Sequence, residues 1–213
     1  AASDVYKRQD YDHPNTRVTH MTVDHELPMT FWRSVGHSYT AFAKESMIDE
    51  MAEAAGMDEV VFRLQNTQNT PRLNNVIRVA GEHMAKMNPP EGHHLGFAAH
   101  HSFYTDVAEI AEVSVENGKI RVHKVTCVLD CGQAVNPDIV RSQIEGGVIY
   151  GLTATLYGGL NLERGAIKES NFHDYPMLRM NESPEIEVVI IDSGTKPTGV
   201  GEPGLPPIAP AVA

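Results

Sequence analysis

Apolar residues recur at three- and four-residue spacings through the first part of the chain and alternate through much of the second. Leu73, Val76, Ile77, Ala80 and Met84 fall on one helical face, and Thr70-Pro71 ahead of them supplies a helix start. Upstream, Phe42, Ser46 and Met51, with Met47, Ile48 and Ala52, keep roughly helical spacing between Ser38, the predicted N-cap, and Gly56, the predicted C′ stop. Asp58 caps a short helix predicted over Glu59–Gln65. Residues 10–29 read as extended, with Val18, Met21 and Val23 set between polar residues and punctuated by Pro14 and Pro28.

Beyond the linker Asn88-Pro89-Pro90-Glu91-Gly92 the period shortens to two. Strands are expected over 96–103 and 106–116, and Asn117-Gly118 is a strong hairpin signal. The return strand over 120–129 has Ile120, Val122, Val125, Cys127 and Leu129 apolar, with a slip of register at His123-Lys124. Asn136-Pro137 opens a helix expected to run to about residue 160, and a last strand is expected over 185–192. Helices and strands segregate rather than alternate, which gives an α+β class. The expected division is 1–10 as non-native or disordered sequence, 11–92 as a mainly helical part and 93–213 as a mixed β/α part.

Composition narrows the partners. The 213 residues carry a formal net charge of −11, which argues against nucleic acid or an anionic membrane surface. No apolar run reaches membrane-spanning length; the weakly polar stretch 146–160 is too short and too rich in glycine. Two cysteines, Cys127 and Cys131, are too few for an iron–sulfur cluster or a structural zinc site. They read as buried thiols, with a disulfide as the alternative. The pair His100-His101 sits in a predicted strand, so its rings point to opposite faces, and His93-His94 falls in a predicted loop. Neither is expected to bind metal.

Three segments carry candidate chemistry. In Trp32-Arg33-Ser34-Val35-Gly36, an arginine beside an aromatic precedes a helix start and can present its guanidinium to an anion or carbonyl. The bland alternative is a surface arginine next to a core tryptophan. In the second segment, which starts at Asp130-Cys131-Gly132, Gln143 shares a helix face with Ile139, Gly146, Gly147 and Tyr150. Gly146, Gly147 and Gly151 each cost about 1 kcal/mol relative to alanine, so either a large ligand or another backbone must approach closely. The third segment, Thr198-Gly199-Val200-Gly201-Glu202-Pro203-Gly204, holds a carboxylate in a stiff turn, as a general base requires. A rigid turn with an exposed glutamate is the plainer reading.

Together W-R-S-V-G-H-S, D-C-G-Q-A-V-N-P-D-I-V-R-S-Q-I-E-G-G-V-I-Y-G-L and G-V-G-E-P-G resemble the molybdenum-binding subunit of the xanthine dehydrogenase / aldehyde oxidase family. Within it, the wording is most similar to the branch of the isoquinoline 1-oxidoreductase β-subunit, and the resemblance covers residues 11–213. It implies a hydroxylase that oxidises an aldehyde or N-heteroaromatic compound with oxygen from water. The implied cofactor is molybdopterin cytosine dinucleotide with molybdenum held through the pterin, and the implied partner is a subunit with 2Fe-2S clusters. By the same resemblance Glu202 is the catalytic base and Arg33 stabilises charge on the substrate. Trp32, Arg33, Gly36, Gly132, Gln143, Gly146, Gly147 and Gly201 are then the cofactor-binding positions. Trp32, Ser34 and Val35 replace the phenylalanine, glycine and phenylalanine of the common pattern, so a different pocket wall is expected.

The chain has no starting methionine and stops one turn into a predicted helix, so a C-terminal fragment with half a site, inactive in isolation, is expected. A bacterial periplasmic or cytoplasmic setting stays open, and only the branch resemblance points to the periplasm. Two rivals stand beside it. One is a degenerate module that only packs against a partner. The other is a metal hydrolase using His100 or His101 with Asp106, which adjacent strand histidines serve poorly.

Overall fold

The computed structural model of the protein describes residues 10–17, 19, 21, 23 and 30–213; the expectations for residues 1–9, Val18 and Pro28 lie outside them. Helices α1 (His37–Ala54), α2 (Glu59–Gln65) and α3 (Pro71–Met84) come first. Strands β1 (His93–Ser102), β2 (Thr105–Glu116) and β3 (Lys119–Asp130) follow, then α4 (Pro137–Tyr157). A small hairpin of β4 (Leu162–Glu163) and β5 (Ala166–Ile167), strand β6 (Glu185–Ile190) and the short α5 (Ile208–Val212) complete the order. The main sheet is four-stranded in the order β1-β2-β3-β6, antiparallel except for the parallel β3–β6 pair. This is the α+β arrangement expected.

Alternation along the strands divides two apolar layers. On one face Phe97, Ala99, Ala108, Ile110 and Val128 receive Leu73, Val76, Ile77 and Ala80 of α3. On the other Ala98, Val107, Ala111, Val125, Cys127 and Leu129 receive Val140, Ile144, Val148 and Leu152 of α4 with Ile208, Ala211 and Val212 of α5. Each large aliphatic side chain so buried contributes about 1.5–3 kcal/mol. The hairpin turn has Asn117 and Gly118 at φ 53 and 75, and the ladder slips where Glu112 faces Lys124 but Val113 faces Val122, leaving His123 as the bulge. Both cysteines are buried thiols.

Several expectations need correction. Gly36, not Ser38, is the N-cap of α1, because the Ser38 hydroxyl donates to the Val35 carbonyl instead. The buried stripe of α1 is Ala41, Glu45, Ile48 and Ala52, whereas Phe42, Met47 and Met51 are exposed. Glu45 tolerates burial because Tyr11 and Arg63 donate to its carboxylate and the edge amide of Ala99 in β1 bonds it at 3.0 Å. β1 starts at His93, so His93 and His94 lie in a strand and not in a loop. α4 ends at Tyr157, where Gly158 turns extended, and β6 ends at Ile190.

Asp130 organises the turn that carries the chain out of β3. Its carboxylate accepts from Gly132 N–H at 2.9 Å, Ser193 Oγ at 2.7 Å and Arg72 Nη2 of α3 at 2.9 Å. Burial pushes its pKa up, but these donors together outweigh burial and hold the carboxyl below its usual range. Gly132 has φ 68, and a Cβ there would stand 2.2 Å from the Lys196 carbonyl oxygen. Gly132→Ala is therefore expected to destabilise the protein by more than about 1 kcal/mol, read as a lower urea midpoint at unchanged m-value. An unchanged midpoint would contradict this account of the turn.

Glu109 in β2 faces the layer under α4 with no exposure, and neither oxygen has a hydrogen-bond partner. The Cys127 thiol across the ladder is too weak a donor to satisfy it. Burial pushes the carboxyl well above its ordinary value, against a small opposing pull from Cys127. The folded state thus keeps a proton that the unfolded chain releases near its usual pKa of about 4.3. The resulting stabilisation is present below that value and is lost as pH rises through the raised folded value. Glu109→Leu is expected to raise stability by about 1–3 kcal/mol at neutral pH and to abolish that decline. Urea midpoints measured across the range check both.

Candidate active site

The site begins with backbone strain ahead of α1. Val35 N–H donates to Trp32 O and His37 N–H to Ser34 O, each at 2.9 Å. These consecutive turns place Ser34 and Val35 at φ 70 and 51. Non-glycine residues held there cost about 1–3 kcal/mol each, and a β-branched valine fits worst. Something outside the turn must hold it.

That support is the glycine-proline turn 168 positions later. Ser34 N–H donates to Glu202 Oε1 at 3.0 Å, and Ser34 Oγ donates to the Glu202 carbonyl at 2.7 Å. Arg33 Nε donates to the Gly201 carbonyl at 2.8 Å, and its Nη2 donates to the same oxygen. Nη2 also reaches the Gln143 carbonyl at 3.2 Å, with Gln143 Oε1 at 3.5 Å. The guanidinium lies 5.9 Å over the Tyr150 ring, and Trp32 packs against the same ring at 5.0 Å. Trp32, Arg33, Gln143, Gly201 and Glu202 therefore share one surface.

The glycines of α4 divide by face. A Cβ on Gly147 would meet the Gly204 backbone at 3.1 Å, and one on Gly151 would meet Ile208 at 2.4 Å. These two serve close packing of the helix on the turn, and Pro203, Gly204, Leu205, Pro206 and Pro207 are buried beneath it. Gly146 is exposed, and a Cβ there would meet nothing nearer than Arg33 Nη1 at 3.7 Å. Gly201 is also exposed, with Gln143 Oε1 at 3.7 Å from such a Cβ. Side-chain-free backbone thus flanks Arg33 and Gln143 on the open side. Gly36 sits just behind as the buried N-cap of α1. Gly132 is placed elsewhere, in the turn against Thr195 and Lys196.

Ser34 is a site residue that sequence reasoning misses, although its place next to Arg33 is an available signal. His101 Nδ1 bonds Asp106 Oδ1 at 2.7 Å, while His100 is buried with its Nε2 2.9 Å from His37 Nδ1. Among the described residues no group of three or more His, Cys, Asp or Glu side chains is placed to hold a metal ion. Among them, too, no helix is long and apolar enough to cross a membrane.

Comparison with known proteins agrees with this arrangement. Residues 30–184 match the family model of the molybdopterin cofactor-binding domain. The beta chain of isoquinoline 1-oxidoreductase from Brevundimonas diminuta is 34% identical over 208 residues, covering 95% of this chain and 27% of that protein. A nicotinate dehydrogenase subunit of Pseudomonas putida is 30% identical over 224 residues, covering 95% of this chain and 19% of that protein. The chain thus spans well under half of either relative. The structure of aldehyde oxidoreductase from Desulfovibrio gigas superposes on 84% of this chain and 38% of its own, with a TM-score of 0.67 at 14% identity, which shows a shared fold. With the family model matched over most of its length, the chain belongs to the molybdopterin cofactor-binding domain family.

Proposed function

We propose that this chain supplies the glutamate-bearing part of a molybdenum hydroxylase site that oxidises an N-heteroaromatic compound or an aldehyde. The observation that carries the reading is the convergence of Arg33, Gln143 and Glu202 from three distant segments on one surface. The names of the two curated relatives, for isoquinoline and nicotinate, support an N-heterocycle as substrate.

The residues present fit a large polar cofactor. Exposed backbone at Gly146 and Gly201 leaves open ground that side chains would fill, and a guanidinium and a carboxamide border it. Arg33, Gln143, Gly146 and Gly201 would hold the cofactor there, proposed in its cytosine dinucleotide form, with Trp32 at the margin. Gly36 and Gly147 would set the backbone behind them, whereas Gly132, in the turn against Thr195 and Lys196, takes no part. When bound, the group supplies the two-electron acceptor of the reaction.

In net terms a carbon–hydrogen bond is replaced by a carbon–oxygen bond with oxygen from water, releasing two protons and two electrons. Glu202 Oε1 is held by the Ser34 amide, and among the described residues Oε2 receives no hydrogen bond, so Oε2 is the atom that takes a proton from the attacking oxygen. Arg33 Nη1, which donates to nothing among the described residues and lies beside the exposed Gly146, stabilises negative charge growing on the substrate. Cys127 and Cys131 are buried and too few for a cluster, so the electrons leave this part of the protein, and 2Fe-2S clusters on a partner subunit are proposed to receive them.

The protein purified with its neighbouring subunit is expected to contain stoichiometric molybdenum by mass spectrometry and to release CMP on hydrolysis. Absence of both, from a host that loads other molybdoenzymes, would sink the reading and leave a packing module. Glu202→Gln is expected to lower kcat by about 10²–10⁴-fold at unchanged molybdenum content. Normal turnover by that variant would refute the base assignment.

A further inference from the structure

We propose that His37 and His100 are positioning residues whose mutual hydrogen bond fixes the Arg33–Ser34 arm of the site, an inference that rests on the function proposed above. The tip of the β1–β2 hairpin touches both arms of the site. Towards the glycine-proline turn, Thr105 Oγ donates to the Gly199 carbonyl at 2.7 Å and lies 2.6 Å from Thr198 Oγ. Towards the strained loop, His100 Nε2 lies 2.9 Å from His37 Nδ1, and the Phe103 ring stands 5.3 Å from the His37 ring. His37 directly follows the strained loop and ties its own amide to the Ser34 carbonyl. One hairpin tip therefore sets the position of Ser34 relative to Glu202 from both sides.

Burial makes the neutral pair the favoured state of the bond. His100 Nδ1 is buried without a partner, and an orphaned N–H there costs more than an orphaned lone pair. His100 Nε2–H therefore donates and His37 Nδ1 accepts. Burial is the main cause lowering both pKa values. Lys44 and His101 lower both further, the His37 ring adds to the effect on His100, and Asp10 and Glu202 oppose it at His37. One proton on the pair leaves the bond but puts an unpaired N–H at the buried His100 Nδ1, and a second sets N–H against N–H and breaks it. The folded pair thus keeps the arm fixed above the ordinary imidazole value of about 6.5, and the constraint is lost as pH falls below it through the lowered folded values.

Trp32, the one tryptophan of this sequence, packs against Tyr150 at the end of this arm, so its emission, taken as the difference from the Trp32→Phe variant, reports the arm without any need for turnover. In the purified protein its emission is expected to hold steady at neutral pH and to shift on acidification while far-UV circular dichroism stays constant. His37→Phe and His100→Phe are expected to show the acid-form emission already at neutral pH and to lose the transition. His37→Asn, whose Oδ1 can accept from His100, is expected to restore the neutral emission. In the loaded enzyme His37→Phe is expected to lower kcat about tenfold with molybdenum content unchanged, and His37→Asn to recover most of it. Wild-type emission and acid transition in both phenylalanine variants would overturn the proposal; if His100→Phe does not fold, His37→Phe alone decides it. A protein without molybdenum whose Trp32 emission still follows this pattern would refute the function but not the strut.

Discussion

The two hydrogen bonds that Ser34 donates to Glu202 are the contact on which the site depends. They join the carboxylate to a backbone amide and the hydroxyl to a backbone carbonyl, so neither segment can shift without breaking both. Arg33 reinforces them by gripping the carbonyl of Gly201, one residue before the glutamate. The bond to the Glu202 carboxylate and the Arg33 bond to the Gly201 carbonyl each involve an ionisable group, and at about 1.5–3 kcal/mol each for charged groups they are of the size needed to offset the backbone strain at Ser34 and Val35. The serine is informative because the common family pattern has glycine there, which adopts φ 70 without penalty. Serine accepts the strain and gains a hydroxyl bond to the turn that carries Glu202.

The helix α4 shows how one glycine-rich stretch meets two demands. Its inner glycines, Gly147 and Gly151, let the helix backbone approach the turn that carries Glu202, which fixes the height of the carboxylate above the sheet. Its outer glycine, Gly146, keeps the opposite surface clear beside the guanidinium. The two readings of these glycines, close packing and ligand approach, therefore hold on different faces of the same helix. A side chain on the inner face would move the turn, whereas one on the outer face would fill the open ground.

Much of the architecture is legible in the sequence. The α3 face, the Asp58 cap, the Asn117-Gly118 turn and the bulge at His123 rest on local rules of spacing and backbone preference, and the structure follows them. The buried face of α1 is not legible in this way, because apolarity along a helix does not by itself decide burial. Glu45 goes inside since its acceptors are satisfied from Tyr11, Arg63 and Ala99, partners far apart in the chain. The same reason hides Ser34 and His37, whose importance lies in long-range hydrogen bonds that no local pattern encodes. Arg33, Gln143 and Glu202 can be named because each sits in a distinctive run, but only the fold brings them together.

The 168 positions between Ser34 and Glu202 also set the order in which the molecule can assemble. The β1–β2 and β2–β3 hairpins join near neighbours, with short loops to close, and such local contacts form early. The Ser34–Glu202 closure spans most of the chain and faces the greatest loop entropy, so it follows once the sheet and the α4 packing have shortened the gap. A chain still growing or partly unfolded therefore has no assembled site. Arg33 and the Glu202 turn meet only in a molecule whose core is already complete, so this surface is among the last features that folding produces.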